Sequence, residues 1–439
     1  MLKVAKFGGS SVAKADQFKK VKEIIDSDPS IAIVVASAAG KRSADDHKLT
    51  DLLYLCHAHL TYGVDCKDII SSIRDRFSEI KEELNLSIDI ESEFDNYTSS
   101  LSKSTSVDEL VSRGEYFTSR LLAEYLGFKF VDAAECIFFS TNGKIDADKT
   151  YAAIKDVLDK FRRVLIPGFY GSLPSGKIKV MTRGGSDITG SLAAAAVNAD
   201  VYQNWTDVSG ILMADPRIVD NPKPIPAITY DELREMAFAG ASVLHEESVQ
   251  PVREKGICLN IRNTNEPDNP GTLIVEKIDR EETSSSDERF ITGIAGRRDF
   301  DIITVSKHNM TNETICRALT VMQNYHVKVE HITLGLDSFA LVASEKALGD
   351  NIYDIISDMS KSCDTSDISI QDKIALIAAV GRRMPFKPGI SGKLFKALGD
   401  NEINIRTIAQ GADELSITVG VENEMFEKAI RVLYDGFAG

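Results

Sequence analysis

Lys6-Phe7-Gly8-Gly9-Ser10-Ser11 sits between two different periodicities. Upstream, residues 2–5 form a short apolar run that reads as a buried strand. Downstream, Phe18-Lys19-Lys20-Val21-Lys22-Glu23-Ile24-Ile25 has helical spacing. Paired glycines at a strand-to-helix turn let the backbone approach a ligand, because no Cβ stands in the way. The free amides of such a turn, and the positive end of the helix, favour anions such as phosphate. Lys6 adds a full positive charge. The chain has neither a G-x-x-x-x-G-K-[ST] loop nor a G-x-G-x-x-G loop, so this phosphate site is of a less common kind. Taken alone, a glycine pair is equally the mark of a plain tight turn.

A second glycine loop, Met181-Thr182-Arg183-Gly184-Gly185-Ser186-Asp187-Ile188-Thr189-Gly190, leads into an alanine-rich helix start. Arg183 can clamp a carboxylate or phosphate with two parallel hydrogen bonds. Asp187 can hold a metal ion or orient a lysine; it can also serve simply as a helix cap. A third element, Asn204-Trp205-Thr206-Asp207-Val208-Ser209-Gly210-Ile211, follows a strand and is itself followed by Asp215-Pro216-Arg217. A Thr-Asp pair at the carboxyl end of a strand is placed to meet a nucleotide, since ligands of open α/β sheets bind there. Asp-Pro is also a common turn starter.

In this order the three elements resemble the aspartokinase family of the amino-acid kinase fold, over nearly the whole chain. Leu110-Val111-Ser112-Arg113-Gly114-Glu115 resembles the family's acidic substrate motif, and Ile166-Pro167-Gly168-Phe169-Tyr170-Gly171 its substrate-loop strand. Ser37 resembles the serine after the second strand, and Thr50 the threonine of the helix start that follows. Two departures stand out. Leu212 replaces a frequent aromatic near the adenine, and Ser242 replaces a lysine that approaches the nucleotide.

Net charge is −15 over 439 residues, which argues against nucleic acid or an anionic membrane as partner. No apolar run reaches the length needed to span a bilayer, and the N-terminus enters a strand without a signal-peptide core. The six cysteines form no C-x-x-C pair, and His57 and His59 lie on different helix faces. The expectation is a cytoplasmic protein without a protein-built metal site.

Residues 1–280 alternate strand and helix signals, with a polar helical excursion at about 65–103. The expected fold class is α/β: a three-layer, mostly parallel sheet as the kinase domain. A charged, serine-rich linker is expected at 281–290. After it, strands at 302–305, 327–332 and 338–343 and helices at 313–325 and 352–359 make one β-α-β-β-α unit; 374–380, 392–398, 403–408, 415–419 and 425–434 make a second. Two such α+β, ferredoxin-like units resemble paired ACT domains. The spare strand at 291–295 is expected to complete the second unit. The first unit (300–371) is then inserted within the second (291–299 and 372–439).

The resemblance implies ATP-dependent phosphorylation of the side-chain carboxylate of L-aspartate, with Mg²⁺ bridging the phosphates. Lys6 and Asp187 are the implied catalytic pair. Gly8, Gly9, Ser10, Thr206, Asp207 and Arg217 are the implied ATP contacts. Ser37, Thr50, Glu115, Phe169, Arg183 and Ser186 are the implied aspartate pocket, with Glu115 on the α-ammonium and Arg183 on the α-carboxylate. The ACT units imply feedback inhibition by an amino acid, lysine first and threonine second, through Met310, Asn312, Glu313, Val329 and Glu330. They also imply a homodimer or homotetramer. The alternatives are a kinase of glutamate, acetylglutamate or a nucleotide monophosphate, and a non-catalytic amino-acid sensor.

Overall fold

The structure is a computed structural model. It describes the whole chain except residues 183, 242, 243, 245, 279–289, 366 and 439, and of residue 246 only the backbone. The expected linker therefore lies outside the described residues apart from Phe290. The chain divides into two compact units: 1–211, 226–230 and 243–278 form the first, and 212–225, 231–242 and 279–439 the second.

In chain order the first unit contains β1 (Lys3–Phe7), α1 (Ala15–Ser27), β2 (Ile31–Ala36), α2 (Leu49–Tyr62), α3 (Lys67–Leu84), α4 (Ile90–Ser99) and α5 (Val107–Leu126). It continues with β3 (Lys129–Phe130), α6 (Ala147–Lys160), β4 (Val164–Pro167), β5 (Tyr170–Ser172), β6 (Ile178–Val180), α7 (Gly185–Ala196) and β7 (Val201–Thr206). After β8 (Ala227–Thr229) comes α8 (Tyr230–Phe238), which belongs to the second unit from residue 231 on. Then α9 (Glu246–Glu254), β9 (Cys258–Asn263) and β10 (Thr272–Val275) complete the first unit.

Eight of these strands form one sheet in the order β8-β10-β9-β7-β1-β2-β4-β3. Only the β9–β10 pairing is antiparallel. The strands β1, β2 and β4 are apolar along most of their length and buried, as strands covered on both faces must be. One face carries α1, α2 and α5, whose Phe18, Leu53 and Leu121 join a core with Val34 and Leu165. The polar excursion is α3 and α4; each shows a polar surface but buries one apolar stripe, so that Phe77 and Phe94 meet Phe117 of α5.

The second unit is built on a six-stranded antiparallel sheet. Its elements are β11 (Gly293–Ser306), α10 (Asn312–Asn324), β12 (Val329–Leu334), β13 (Ser338–Ser344), α11 (Ile352–Cys363), β14 (Ile368–Val380), α12 (Ile390–Asp400), β15 (Thr407–Gln410), β16 (Ser416–Glu422) and α13 (Phe426–Ala438). The order is β12-β13-β11-β14-β16-β15. Two larger cores lie against it, besides a small cluster of Phe300, Ile302, Val342, Ile374 and Leu376. Ile303, Phe339 and Leu341 pack with Met322 and Met359 in one, and Ile377 and Val419 pack with Leu394 and Leu433 in the other.

Two details differ from the sequence reading. The strands read at 291–295 and 302–305 are parts of one strand, β11. Its first half pairs with β14, Gly293 opposite Val380, and its second half pairs with both β13 and the start of β14. The halves are separated by an irregularity where Asp299 adopts φ 66°. The strand read at 403–408 instead spans Thr407–Gln410. Glu402 takes a left-handed φ of 59° and the amide of Ile403 turns back to the Leu398 carbonyl at 3.0 Å, so Ile403 closes the helix end with its side chain buried. Among the described residues no helix is long and apolar enough to cross a membrane.

Candidate active site

Parallel register sets up the site. Phe7 lies opposite Trp205 on one side and Ala36 on the other, and Ala36 lies opposite Pro167. The residues that follow these strands, Thr206 within β7 and Gly8, Ser37 and Gly168 just beyond β1, β2 and β4, therefore stand in a row along the carboxyl edge of the sheet. Backbone hydrogen bonds extend the ladder past the strand ends: Gly8 N–H to Trp205 O at 2.9 Å, Ser37 N–H to Phe7 O at 3.1 Å, and Gly168 N–H to Ala36 O at 2.9 Å. This bond occupies the Gly8 amide, so it is the amides of Gly9 and Ser10 that remain without a partner among the described residues. Gly9 is needed for another reason. A Cβ there would lie 2.9 Å from the Ala38 carbonyl, because the two loops cross at this point.

Lys6, at the end of β1, is 7% exposed. Its Nζ lies 2.6 Å from Asp187 Oδ1, in the first turn of α7. Asn204 closes the triangle. It sits opposite Lys6 in the β1–β7 register, accepts from Lys6 Nζ at 3.3 Å, and donates from Nδ2 to Asp187 Oδ1 at 2.9 Å. Sequence reading passed over Asn204, since one polar residue within a strand carries no signal of its own; its register position beside Lys6 does.

The second diglycine loop and the substrate-loop strand interlock. Gly184 has φ 76°, and a Cβ on Gly185 would lie 2.7 Å from the Phe169 ring. A Cβ on Gly168 would lie 2.6 Å from Ser186. Phe169 itself has φ 78°, a costly conformation for a large side chain, held by its amide on Thr189 Oγ1 at 3.1 Å and its carbonyl on Met181 N–H at 2.7 Å. Arg183 lies outside the described residues, as does Ser242.

Glu115 lies on α5, 4% exposed, and its Oε2 has no hydrogen-bond partner among the described residues. Burial pushes its carboxyl up to about 8, against a smaller opposing pull from the Ala38 amide. Gly114 lets α5 come this close: a Cβ there would lie 3.0 Å from the Ala38 methyl. Ala39 N–H donates to Thr118 Oγ1 at 3.1 Å, fixing the loop that carries Ser37 against the helix. Thr50 stands in the first turn of α2. The loop before it is pinned by Asp46, which pairs with the buried Arg76 at 2.6 Å. Burial alone would raise the Asp46 carboxyl, but the Arg42 amide and side chain and the Arg76 guanidinium bring it down to about 2.

Thr206 ends β7 and Asp207 follows it, accepting from Thr206 Oγ1 at 3.2 Å. Arg217 falls in the second unit, where its side chain is 87% exposed and paired with Asp215 at 2.6 Å. The effector candidates do not form one cluster within the chain. Met310, Asn312 and Glu313 follow the Ser306 end of β11, which pairs with Ser338; Val329, opposite Ala343, and the adjoining Glu330 lie near the other end of β13. Those ends are roughly 17 Å apart at about 3.4 Å per residue. Glu313 is paired with Arg317 at 2.6 Å, and the buried Glu330 with Arg297 at 3.1 Å and Lys328 at 3.5 Å.

The amino acid kinase family model matches residues 1–263, and an ACT domain model matches residues 377–437. Aspartokinase 3 of Bacillus subtilis is 32% identical over 99% of this chain and 98% of its own length. The crystal structure of Clostridium acetobutylicum aspartate kinase is 45% identical with a TM-score of 0.90, covering 99% of both chains. E. coli aspartokinase III, in complex with aspartate and ADP, is 26% identical with a TM-score of 0.75 over 100% of both chains. The same enzyme in complex with lysine and aspartate gives 26% and 0.74, again over 100% of both chains.

Proposed function

The chain belongs to the aspartokinase family, and on that premise we propose how its residues carry out the phosphorylation of the L-aspartate side chain by ATP. The observation that carries the reading is the 2.6 Å Lys6–Asp187 pair at the carboxyl edge of the sheet. The acceptor carboxylate is already ionised at neutral pH, so no general base is required. What the reaction requires is that two anions be aligned and that charge spreading over the transferred phosphoryl be met. Lys6 meets that charge, held in place by Asp187 and Asn204. The amides of Gly9 and Ser10 take phosphate oxygens, with Gly8 shaping the turn. Thr206 and Asp207 meet the nucleoside.

Among the described residues no group of three His, Cys, Asp or Glu could hold a metal. Magnesium is commonly bound through one or two carboxylates together with substrate phosphates, and Asp187 fits as the single protein donor. When bound, the ion neutralises phosphate charge.

Glu115 takes the α-ammonium of aspartate and Arg183 the α-carboxylate, while Ser37, Thr50, Phe169 and Ser186 line the remainder of the pocket. Glu115 also separates this reading from an acetylglutamate kinase, whose substrate has no free ammonium. The domains are a kinase domain at 1–280, a linker at 281–290, and two ACT domains, 300–371 inserted between 291–299 and 372–439. Lysine is the proposed effector, with threonine second. Because the two halves of the effector set lie far apart within one chain, a site made from both requires a second copy. The edge strand β12, with Leu334 66% and Leu336 91% exposed beside it, is the surface proposed for that dimer. The test is an aspartyl hydroxamate assay with aspartate, glutamate and acetylglutamate, each with and without lysine. Turnover with aspartate alone, reduced by lysine, is expected; no turnover with aspartate overturns the reading.

A further inference from the structure

One face of the sheet in the second unit carries a cavity of about 320 Å³ that nothing above uses. Short side chains leave room in its lining: Ala378 of β14, Ser416 and Thr418 of β16, and Ala409 of β15 stand there beside the larger Leu376 of β14 and His331 and Ile332 of β12. Glu235 and Phe238 of α8 line the facing side. Protein interiors are otherwise close-packed, and a void lined by charges is a place for water or for a ligand. The volume falls at the lower end of the roughly 300–1,000 Å³ of small-molecule pockets.

Besides His331, Gln410 and the hydroxyls of Ser416 and Thr418, three formally charged side chains line it. Arg297 is the cation. Its guanidinium is held over the rings of Phe238 and Phe300, 5.6 and 5.0 Å from their centres, and its Nη2 donates to Glu330 at 3.1 Å. Among the described residues its Nη1 has no hydrogen bond. Glu235 accepts from Ser416 Oγ through Oε2 at 2.7 Å, and among the described residues its Oε1 has no partner. Asp413 accepts the Leu415 amide through Oδ1, and among the described residues its Oδ2 has no partner. A fixed guanidinium, two carboxylates with a free oxygen each, and an apolar ring suit a ligand that carries one carboxylate, one ammonium and little else. A phosphate ester would meet both carboxylates with the wrong sign. We propose that this cavity binds a free α-amino acid as its zwitterion, the carboxylate on Arg297 and the ammonium on Glu235 and Asp413. The site is separate from the loop holding Met310, Asn312 and Glu313, and binding there is independent of the catalytic reading.

The test is calorimetric titration of the whole chain with the free amino acids one at a time, and with the N-acetyl and methyl ester forms of any that bind. Two variants are compared with the natural chain. Glu235→Gln removes one of the two ammonium partners, and Ala409→Leu, on an edge strand, fills part of the cavity. At least one amino acid should bind the natural chain, bind Glu235→Gln about tenfold or more weakly, and give no heat with Ala409→Leu. Its N-acetyl form should not bind. If no amino acid binds, or if each binds both variants as it binds the natural chain, the proposal is overturned. Hydroxamate turnover of both variants serves as the check that they are folded.

Discussion

Gly168 and Ser186 stand so close that a Cβ added to the glycine would lie 2.6 Å from both Cβ and Oγ of the serine. These residues come from the substrate-loop strand and from the first turn of α7, and their contact locks the two loops together. Gly168→Ala should therefore act as an overpacking substitution at the site, costing about 1–3 kcal/mol and raising the aspartate KM. Thermal unfolding and steady-state kinetics check this; an alanine variant with unchanged KM would mean the interlock does not shape the pocket.

Lys6→Ala and Asp187→Asn should each lower kcat by at least about 10²–10³-fold, the scale seen when one charge-stabilising group is removed. The two losses should not add, because the pair acts as one unit. Asn204→Leu should give a smaller loss in kcat, since it removes only the support. The measurement is kcat in the single and double variants, with circular dichroism to confirm folding.

The Glu115 carboxyl is raised from 4.5 to about 8, so between those values the folded chain holds a proton that the unfolded chain has lost. Its contribution to stability is fully present below 4.5 and is lost as pH rises through about 8. Glu115→Gln should therefore flatten the fall in Tm across that window. The same proton must leave before an ammonium is bound as proposed, so the aspartate KM of the natural chain should fall between pH 7 and about 8.5. Calorimetry in buffers of different ionisation enthalpy should register proton release on aspartate binding at pH 7; equal heats in all buffers would exclude the linkage.

Glu232 is fully buried and meets Arg382 Nη1 with both oxygens at 3.2 Å, while also accepting from Thr292 Oγ1. Glu232→Ala leaves the guanidinium without its counter-charge and should destabilise the second unit by about 3–5 kcal/mol. Hydrogen exchange at the amides of β14 is the readout, since a chain of two units need not unfold in one step.

Leu334→Lys and Leu336→Lys place charge on the exposed end of the β12 edge. If that edge joins two copies, sedimentation should shift toward the monomer and lysine inhibition should weaken. An unchanged oligomer would put the interface elsewhere.

The loops were legible from sequence because glycine, serine and aspartate at strand ends carry turn chemistry that is local. The same holds for the buried strands β1 and β2, whose apolar runs need no partner to be recognised. Asn204 was not legible, because its value comes from standing beside Lys6, 198 residues earlier in the chain. Neither was the loss of the Gly8 amide to Trp205, nor the joining of two strand signals into β11.

The amino-acid sequence alone settled which local pieces exist: strand, diglycine bend, helix, and the charges carried on them. Tertiary structure decided which of those groups stay unpaired. Among the described residues the amides of Gly9 and Ser10 and Oε2 of Glu115 are without partners, whereas Glu330 and the Gly8 amide are already engaged. The reason is that a hydrogen bond's availability depends on distances fixed by strand register and close helix approach, and neither is written in any short stretch of chain.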